Sequence, residues 1–470
     1  MQKQNKNTKI VCTLGPSCED AGTIEKMVKA GMNVVRLNFS HGSYDQFKKL
    51  IKNTRAVAKK LNTPIAIVQD LQGPKIRIGN MPEEGLKVSK GELIVLSSEK
   101  SGGKLIIPIQ YPKLHKDVAK GHFILIEDGL IKLEVAKISG FNIHCKVIVG
   151  GVIKKHKGVN LPHSKLALPC LTAKDKADLE FGLNHNVDYV ALSFVREVSD
   201  ITQLRMLIAK KGKNAKIIAK IERPEAIKNI IDIIKATDAV MVARGDLGIE
   251  TEQEIVPILQ KKIIRLSLKY GKPVIVATQM LQSMIDNAIA TRAEVSDAAN
   301  AVFDGTDALM LSNETAVGKY PVEAVATLAR VANKVENFIK QHDDLRGDNI
   351  SGADLQASDA TCLNGAKMAL DTKAKLIVAV SLSGYTAQNI SKHRLYIPII
   401  TFTEDTKTRN QLALVWGLND IYLENIHQNN FTTEIKNILK KEKLIKAGDE
   451  IVIVCNASKK EKLISAIKIQ

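Results

Sequence analysis

Aromatic residues are scarce in this 470-residue chain: Phe, Trp and Tyr make up 4%, and Trp416 is the only tryptophan. Nucleic-acid binders often interleave basic and aromatic residues, because bases stack on rings, so this composition counts against that class. Long apolar runs are missing too. The longest, 273–277 and 451–455, are strand-sized, far below the ~18–20 residues of a membrane helix. Met1 to Ile10 is polar and carries no apolar core of a signal peptide. The expectation is a cytoplasmic enzyme with no membrane and no nucleic-acid partner. The six cysteines are scattered without a C-x-x-C pair, which argues against a zinc site or a disulfide framework. There is no G-x-x-x-x-G-K-[ST] loop and no kinase-like glycine loop. A nucleotide site would then come from scattered basic groups.

What is present in excess is positive charge. Lys+Arg number 68 against 50 Asp+Glu, a net +18. Such an excess suits nucleic acid, an anionic membrane surface or small anionic substrates. The lysines are spread along the chain rather than gathered in a tail, so a solvated surface accounts for most of them. Hydrophobic residues at 45% and charged residues at 25% are ordinary for a globular chain. The length suggests two to four domains at roughly 100–200 residues each.

Short apolar segments alternate with helical ones. The segments are 9–14, 33–39, 64–71, 187–194, 215–222, 239–246, 273–279 and 308–313. Continuous Val/Ile/Ala runs of this size fit parallel strands buried on both faces. Between them, Ile227, Ile230, Ile231 and Ile234 fall at i, i+3, i+4, i+7, and Val256, Leu259, Ile263 and Leu266 repeat a helical stripe at i, i+3, i+7, i+10. Eight such units predict an α/β fold, a (β/α)8 TIM barrel. The stretch 72–162 breaks the rhythm. It has alternating segments at 122–127, 131–135 and 143–149 with glycine turns between, an all-β pattern. We expect an inserted all-β lid domain over 72–162, the barrel at 1–71 and 163–340, and a C-terminal α/β domain at 341–470. In the last, strands are expected near 375–381, 398–403, 420–423 and 450–455.

Active sites of such barrels lie at the strand C-terminal ends. Those ends carry Arg36, Asn38 and Ser40, then Asp70, Ser193, Arg196, Lys220, Glu222, Arg244, Asp246, Thr278, Gln279, Ser312 and Glu314. Glu222 and Asp246 end adjacent strands, ~4.8 Å apart in a sheet, and could share one hard cation. Magnesium takes one or two carboxylates and leaves its other positions to water and substrate. Salt bridges to Lys220 and Arg244 are the competing explanation. Lys220 suits a developing oxyanion or a transferring phosphoryl group; a Schiff-base lysine is its competing role. Arg36 could hold phosphate by a forked contact, and the Gly245 and Asp246 amides a carboxylate. In the last domain, Ser381, Ser383 and Thr386 follow a strand and open a helix, a pattern that suits a phosphate.

The segments RLNFSHG (36–42), DLQGPKIR (70–77), KGVNLP (157–162), AKIE (219–222), MVARGDLG (241–248), ATQMLQSM (277–284), ETAVGKYP (314–321) and SGYTA (383–387) closely resemble the pyruvate kinase family, in the same domain order. The resemblance implies transfer of a phosphoryl group from phosphoenolpyruvate to ADP, giving pyruvate and ATP. It implies Glu222 and Asp246 as Mg2+ or Mn2+ ligands, and Lys220 as the cation that neutralises the phosphoryl group and the enolate. Arg36 would hold the substrate phosphate. Gly245, Asp246 and Thr278 would hold the pyruvate moiety, with Thr278 near proton delivery. Asn38, Ser40, His41, Arg55 and Lys157 would serve the nucleotide. It also implies a homotetramer and a regulatory third domain through which a phosphorylated sugar or AMP activates the enzyme allosterically, held by Ser381, Ser383 and Thr386.

One departure stands out. Potassium-activated members use Asn, Ser and Asp-Thr ligands, with Glu after Gly-Pro. Asn38, Ser40 and Asp70 are kept, but Leu71 replaces the Thr and Lys75 the Glu. The Lys75 ammonium is expected to substitute for K+. Two rivals remain at this point. An aldolase or lyase barrel would explain Lys220, Glu222 and Asp246 but not the lid or Lys157. A nucleic-acid-binding protein with an inactive barrel would rest on the charge alone.

Overall fold

The computed structural model describes residues 6–99, 106–162, 164, 169–342, 357–424, 431–455 and 463–469. Eight parallel strands close into a barrel: Lys9–Thr13, Val34–Asn38, Ala66–Asp70, Tyr189–Leu192, Lys216–Ile221, Ala239–Ala243, Val274–Ala277 and Ala308–Leu311, the last pairing with the first. Successive side chains point to opposite faces of a strand. One set (Ile10, Cys12, Val35, Leu37, Ile67) packs under the helices. The alternate set (Val11, Val34, Val68, Ala191, Ile218, Met241, Ile275, Met310) fills the barrel interior. Continuing that inner set upward along each strand reaches Arg36, Asp70, Lys220 and Glu222. The strand period therefore aims the charged residues into one mouth.

The opposite mouth is closed from the far end of the chain. Ala413 and Leu414 join the barrel's inner cluster, carried by the short turn Leu412–Leu414. Tyr189 Oη donates to Gln411 O at 2.8 Å, and Gln411 Nε2 donates to Asp188 O and Asn214 O at 3.2 and 3.0 Å.

Three aspartates stand just before alternate strands. Asp188, Asp238 and Asp307 accept the N–H of Ile67, Ile217 and Val274 at 2.8, 2.8 and 3.0 Å. Each also pairs with an arginine: Arg55, Arg205 and Arg394. Buried backbone N–H groups need such partners, and the repeated Thr-Asp-Ala at 237–239 and 306–308 records the solution in sequence.

Residues 76–160 form a seven-stranded sheet in the order Ile76–Arg77, Gly158–Asn160, Phe123–Ile126, Ile131–Ser139, Asn142–Val149, Leu93–Ser97, Ile106–Pro108. A two-stranded ribbon, Leu86–Val88 with Gly151–Ile153, accompanies it, and the insert has its own apolar core. The C-terminal part holds a five-stranded sheet in the order Asp420–Leu423, Ile399–Thr403, Leu376–Val380, Glu450–Cys455, Leu463–Lys468. The last of these, antiparallel to its neighbour, was not expected. Of the polar segment 341–355, residues 343–355 lie outside the described residues, as does residue 163 at the other expected boundary.

Two expectations need correction. The strand expected over 239–246 stops at Ala243, and a helix, Arg244–Glu250, begins at once. The isoleucine stripe also shifts. The helix breaks at Asn229 into Pro224–Lys228 and Ile230–Ala236. The break changes the phase, so Ile233 is buried while Ile231 is 43% exposed.

Candidate active site

Lys220 stands at the centre of the open mouth. Its ammonium donates to Ser193 Oγ at 2.7 Å and lies 2.9 Å from Glu222 Oε1 and 3.3 Å from Asp70 Oδ1. Ser193 is held in turn by donating to Leu71 O at 2.7 Å. Burial pushes the Lys220 pKa down, but Asp70 and Glu222 outweigh it and the net shift is upward. Lys220 therefore stays charged, which does not suit an amine nucleophile.

Asp70 links Lys220 to Arg36. Arg36 reaches Asp70 Oδ2 through Nε at 2.7 Å and Nη2 at 2.6 Å, and Nη1 donates to Thr13 Oγ1 at 2.9 Å. Burial would raise the Asp70 carboxyl; Lys220 and Arg36 together hold it below its ordinary value. This buried carboxylate fixes two cations side by side.

Glu222 is fixed by the Phe194 N–H, 2.8 Å from Oε2. Both Glu222 and Asp246 have raised pKa values. Burial is the first cause in each; Lys220 opposes it, and the charge of Asp246 adds to the rise at Glu222. Burial therefore disfavours two bare carboxylates here, and a cation held between them would offset that cost. Among the described residues no group of three or more His, Cys, Asp or Glu could hold a metal ion. Two carboxylates with room for water and substrate oxygens match the hard, incompletely caged coordination of magnesium. Of the competing salt bridges, the one to Lys220 forms, whereas Arg244 turns away to Asp297.

Thr278 caps the next strand in an unusual backbone. Its φ is +73°, and that of Gln279 is +54°; such conformations are strained for non-glycine residues and cluster at functional sites. Its Oγ1 accepts the Gly245 N–H at 2.8 Å and donates to Ala277 O at 2.6 Å. Gly245 and Asp246 lie in the first turn of Arg244–Glu250, where amides face outward. Arg244 ties the two elements together: Nη2 donates to Thr278 O at 2.7 Å, and Nη1 meets both Asp297 oxygens at 2.8 and 2.7 Å. The sequence offers Arg244 as a polar strand end and as a salt-bridge partner for the carboxylates, but not its pairing with Asp297, 53 residues on.

On the insert side, Asn38 Oδ1 accepts the Ser40 N–H at 3.2 Å. His41 has a lowered pKa, from partial burial first and then from Arg77, Lys75, Arg36 and Lys174. Four cations gathered near one ring mark an anion-attracting surface. Arg77 and Lys174 were missed, although Arg77 closes the motif 70–77. Lys157 pairs with Glu127. Lys75 lies against Gly158, where an added Cβ would sit 3.1 Å from Lys75 Cε, and its charge is felt by both His41 and Asp246.

Arg55 does not join this group. Nη1 donates to Ile65 O at 2.8 Å and Nη2 pairs with Asp188 at 2.7 Å, at the strands' N-terminal ends. The nucleotide role expected for it is corrected to a structural one: it neutralises a buried aspartate at the opposite mouth. The third-domain loop is mixed. Ser381 and Thr386 are buried, the Ser381 hydroxyl already accepts the Thr386 N–H at 3.2 Å, and Ser383 is exposed.

Comparison with known proteins agrees with this geometry. The family description "Pyruvate kinase, barrel domain" matches residues 5–325, and "Pyruvate kinase, alpha/beta domain" matches residues 359–469. A pyruvate kinase of Staphylococcus saprophyticus is 46% identical over 423 residues, 89% of this chain and 72% of the relative. One from Staphylococcus aureus is 44% identical over 419 residues, 88% of this chain and 72% of the relative. The crystal structure of a pyruvate kinase from Cryptosporidium parvum superposes with a TM-score of 0.92 at 34% identity, covering 99% of this chain and 97% of that one. With the charged mouth of the barrel, these matches show that the chain belongs to the pyruvate kinase family of phosphotransferases.

Proposed function

We propose that the chain transfers the phosphoryl group of phosphoenolpyruvate to ADP through the residues at the open mouth, with a divalent cation at Glu222 and Asp246. Arg36 receives the substrate phosphate. The Asp246 amide and Thr278 receive the carboxylate, joined by the Gly245 amide as it gives up its bond to Thr278 Oγ1. Magnesium or manganese, when bound by the carboxylate pair, supplies charge stabilisation to the substrate oxygens. A terminal oxygen of ADP forms the new P–O bond as the bond to the enolate oxygen breaks. Lys220 lies where charge accumulates on both the phosphoryl group and the enolate, the main need of such a transfer. The enolate then takes a proton at its methylene carbon on the Thr278 side. Asn38, Ser40, His41 and Lys157 hold the nucleotide.

The observation that carries this reading is the Arg36–Asp70–Lys220–Glu222 chain. It holds two permanent cations beside the Glu222–Asp246 carboxylate pair. We further propose that potassium is not required, because Lys75 supplies an ammonium beside the nucleotide site and the buried, apolar Leu71 removes one ligand. The enzyme is read as cytoplasmic and homotetrameric. Its third domain is read as taking a phosphorylated sugar or AMP near Ser381, Ser383 and Thr386. The exposed Ser383 is the usable probe, since Thr386 is buried.

One assay series tests the whole. Pyruvate release from phosphoenolpyruvate is followed with ADP and magnesium, while potassium and phosphorylated sugars are varied. We expect ADP-dependent, magnesium-dependent turnover that is unchanged without potassium. Removing the lysine charge in Lys220→Met lowers kcat by about 10²–10³-fold. Strict potassium dependence would refute the Lys75 reading. Activation that persists in Ser383→Glu would refute the phosphate site. Pyruvate release without ADP would favour a lyase.

A further inference from the structure

Three side chains outside the reacting centre join the insert to the barrel. Asn160 ends the strand Gly158–Asn160, immediately after Lys157. Its Nδ2 donates to Glu250 Oε1 at 2.9 Å in a buried contact. Glu250 is the last residue of Arg244–Glu250, the helix whose first turn holds Gly245 and Asp246. Its other oxygen, Oε2, is buried with no hydrogen-bond partner and lies 3.4 Å from Arg223 Nη1. Arg223 directly follows Glu222, and its Nη2 donates to Ser164 O at 3.1 Å, two residues beyond the insert. Asn160, Glu250 and Arg223 line a cleft that Lys75, Phe194 and Asp246 also line.

We propose that Asn160, Glu250 and Arg223 form a latch that sets the position of the insert, and with it Lys157, relative to the metal pair. The inference rests on the reading of Lys157 as a nucleotide residue and of Glu222 and Asp246 as metal ligands. The physical argument is one of connectivity. One buried carboxylate bonds the last strand of the insert, rides on the helix of Asp246 and touches the neighbour of Glu222. Withdrawing the insert removes the donor from Glu250 Oε1. A buried carboxylate oxygen left without its donor is costly, so the contact biases the insert towards one position. The three are positioning residues; none reaches the reacting atoms.

The test is a double-mutant cycle on the full-length enzyme, with KM for ADP and for phosphoenolpyruvate and the melting temperature measured for each variant. Asn160→Ala and Glu250→Ala should each raise the ADP KM by about tenfold, and the double variant no more than the worse single, since both remove one contact. The phosphoenolpyruvate KM should stay within about twofold, because uniform loss of binding to one substrate leaves the other unaffected. Glu250→Gln, which keeps an acceptor for Asn160, should restore the ADP KM. An unchanged ADP KM in Asn160→Ala overturns the latch, and so does a parallel rise in both KM values with a lowered melting temperature. If Asn160→Ala does not fold, Glu250→Ala against Glu250→Gln makes the same decision. Lys157→Ala separates the two layers. If it raises the ADP KM while Asn160→Ala is silent, only the latch fails; if both are silent, the nucleotide reading fails with it.

Discussion

Thr278 sits in a backbone region that threonine avoids, and Arg244 is what keeps it there. The guanidinium grips the carbonyl of Thr278 on one side and the Asp297 carboxylate on the other, while the next residue, Gly245, donates to the Thr278 hydroxyl. Arg244→Lys keeps the charge but loses the fork that makes these bonds at once. We expect kcat to fall by about 10–100-fold, the scale of a small misplacement of a reacting group, with the melting temperature nearly unchanged. An unaltered kcat would remove Arg244 from this role. At this scale the sequence was informative where chain direction decides the outcome. Arg36, Asp70, Lys220 and Glu222 share the inward phase of their strands, so their convergence follows from counting by two. Arg55 shows the limit of matching residues without counting distance. It lies in the helix Tyr44–Leu61, which leaves the open mouth and runs back down the barrel. Eleven residues along a helix span roughly 16 Å, enough to carry Arg55 to the other end.

Among the elements, periodicity succeeded where the phase stayed constant and failed where it was interrupted. The eight barrel strands were legible because both faces are buried and the runs are apolar throughout. The helical stripe after Glu222 was misplaced because Asn229 restarts the helix, an event that no regular spacing records. The consequence is measurable by thermal or urea unfolding. Ile233→Ala should destabilise by about 2–5 kcal/mol through the cavity it leaves, whereas Ile231→Ala, half exposed, should stay within about 0.5 kcal/mol. Equal effects would mean that the helix runs unbroken. The strand Leu463–Lys468 was missed for a related reason. Leu463, Ile464, Ala466 and Ile467 fit a helical stripe as well as a strand, and only the pairing with Glu450–Cys455 decides between them.

For the whole molecule, the contacts between barrel and C-terminal part were the least legible, because Tyr189 and Gln411 meet across more than two hundred residues and leave no periodic trace. Buried amines mark this seam. Lys9 Nζ donates to Leu418 O at 2.9 Å and Asn419 Oδ1 at 2.6 Å, and Lys6 Nζ to Asn33 Oδ1 at 2.7 Å. Burial lowers the Lys6 pKa to about 8, with Glu336 opposing. The unfolded chain holds this proton up to a pH near 10.4, so between those values it binds more protons than the folded one. The stability that Lys6 contributes is therefore full above the unfolded pKa and lost as pH falls through 8. Urea unfolding should show the wild type gaining roughly 1–3 kcal/mol over Lys6→Met between pH 8 and 10. Parallel curves would refute the assignment.

The turn at Leu412–Leu414 has a consequence for the order in which the chain acquires structure as it is made. The first barrel strand, Lys9–Thr13, finds its second neighbour only when Ala308–Leu311 has emerged from the ribosome. The lower mouth then stays open until about a hundred further residues follow, on the order of 5–20 s at the usual pace of synthesis. During that interval the apolar floor of a complete eight-stranded ring is exposed to solvent. The nascent enzyme therefore has a timed window of vulnerability that ends when its own C-terminal third seals it.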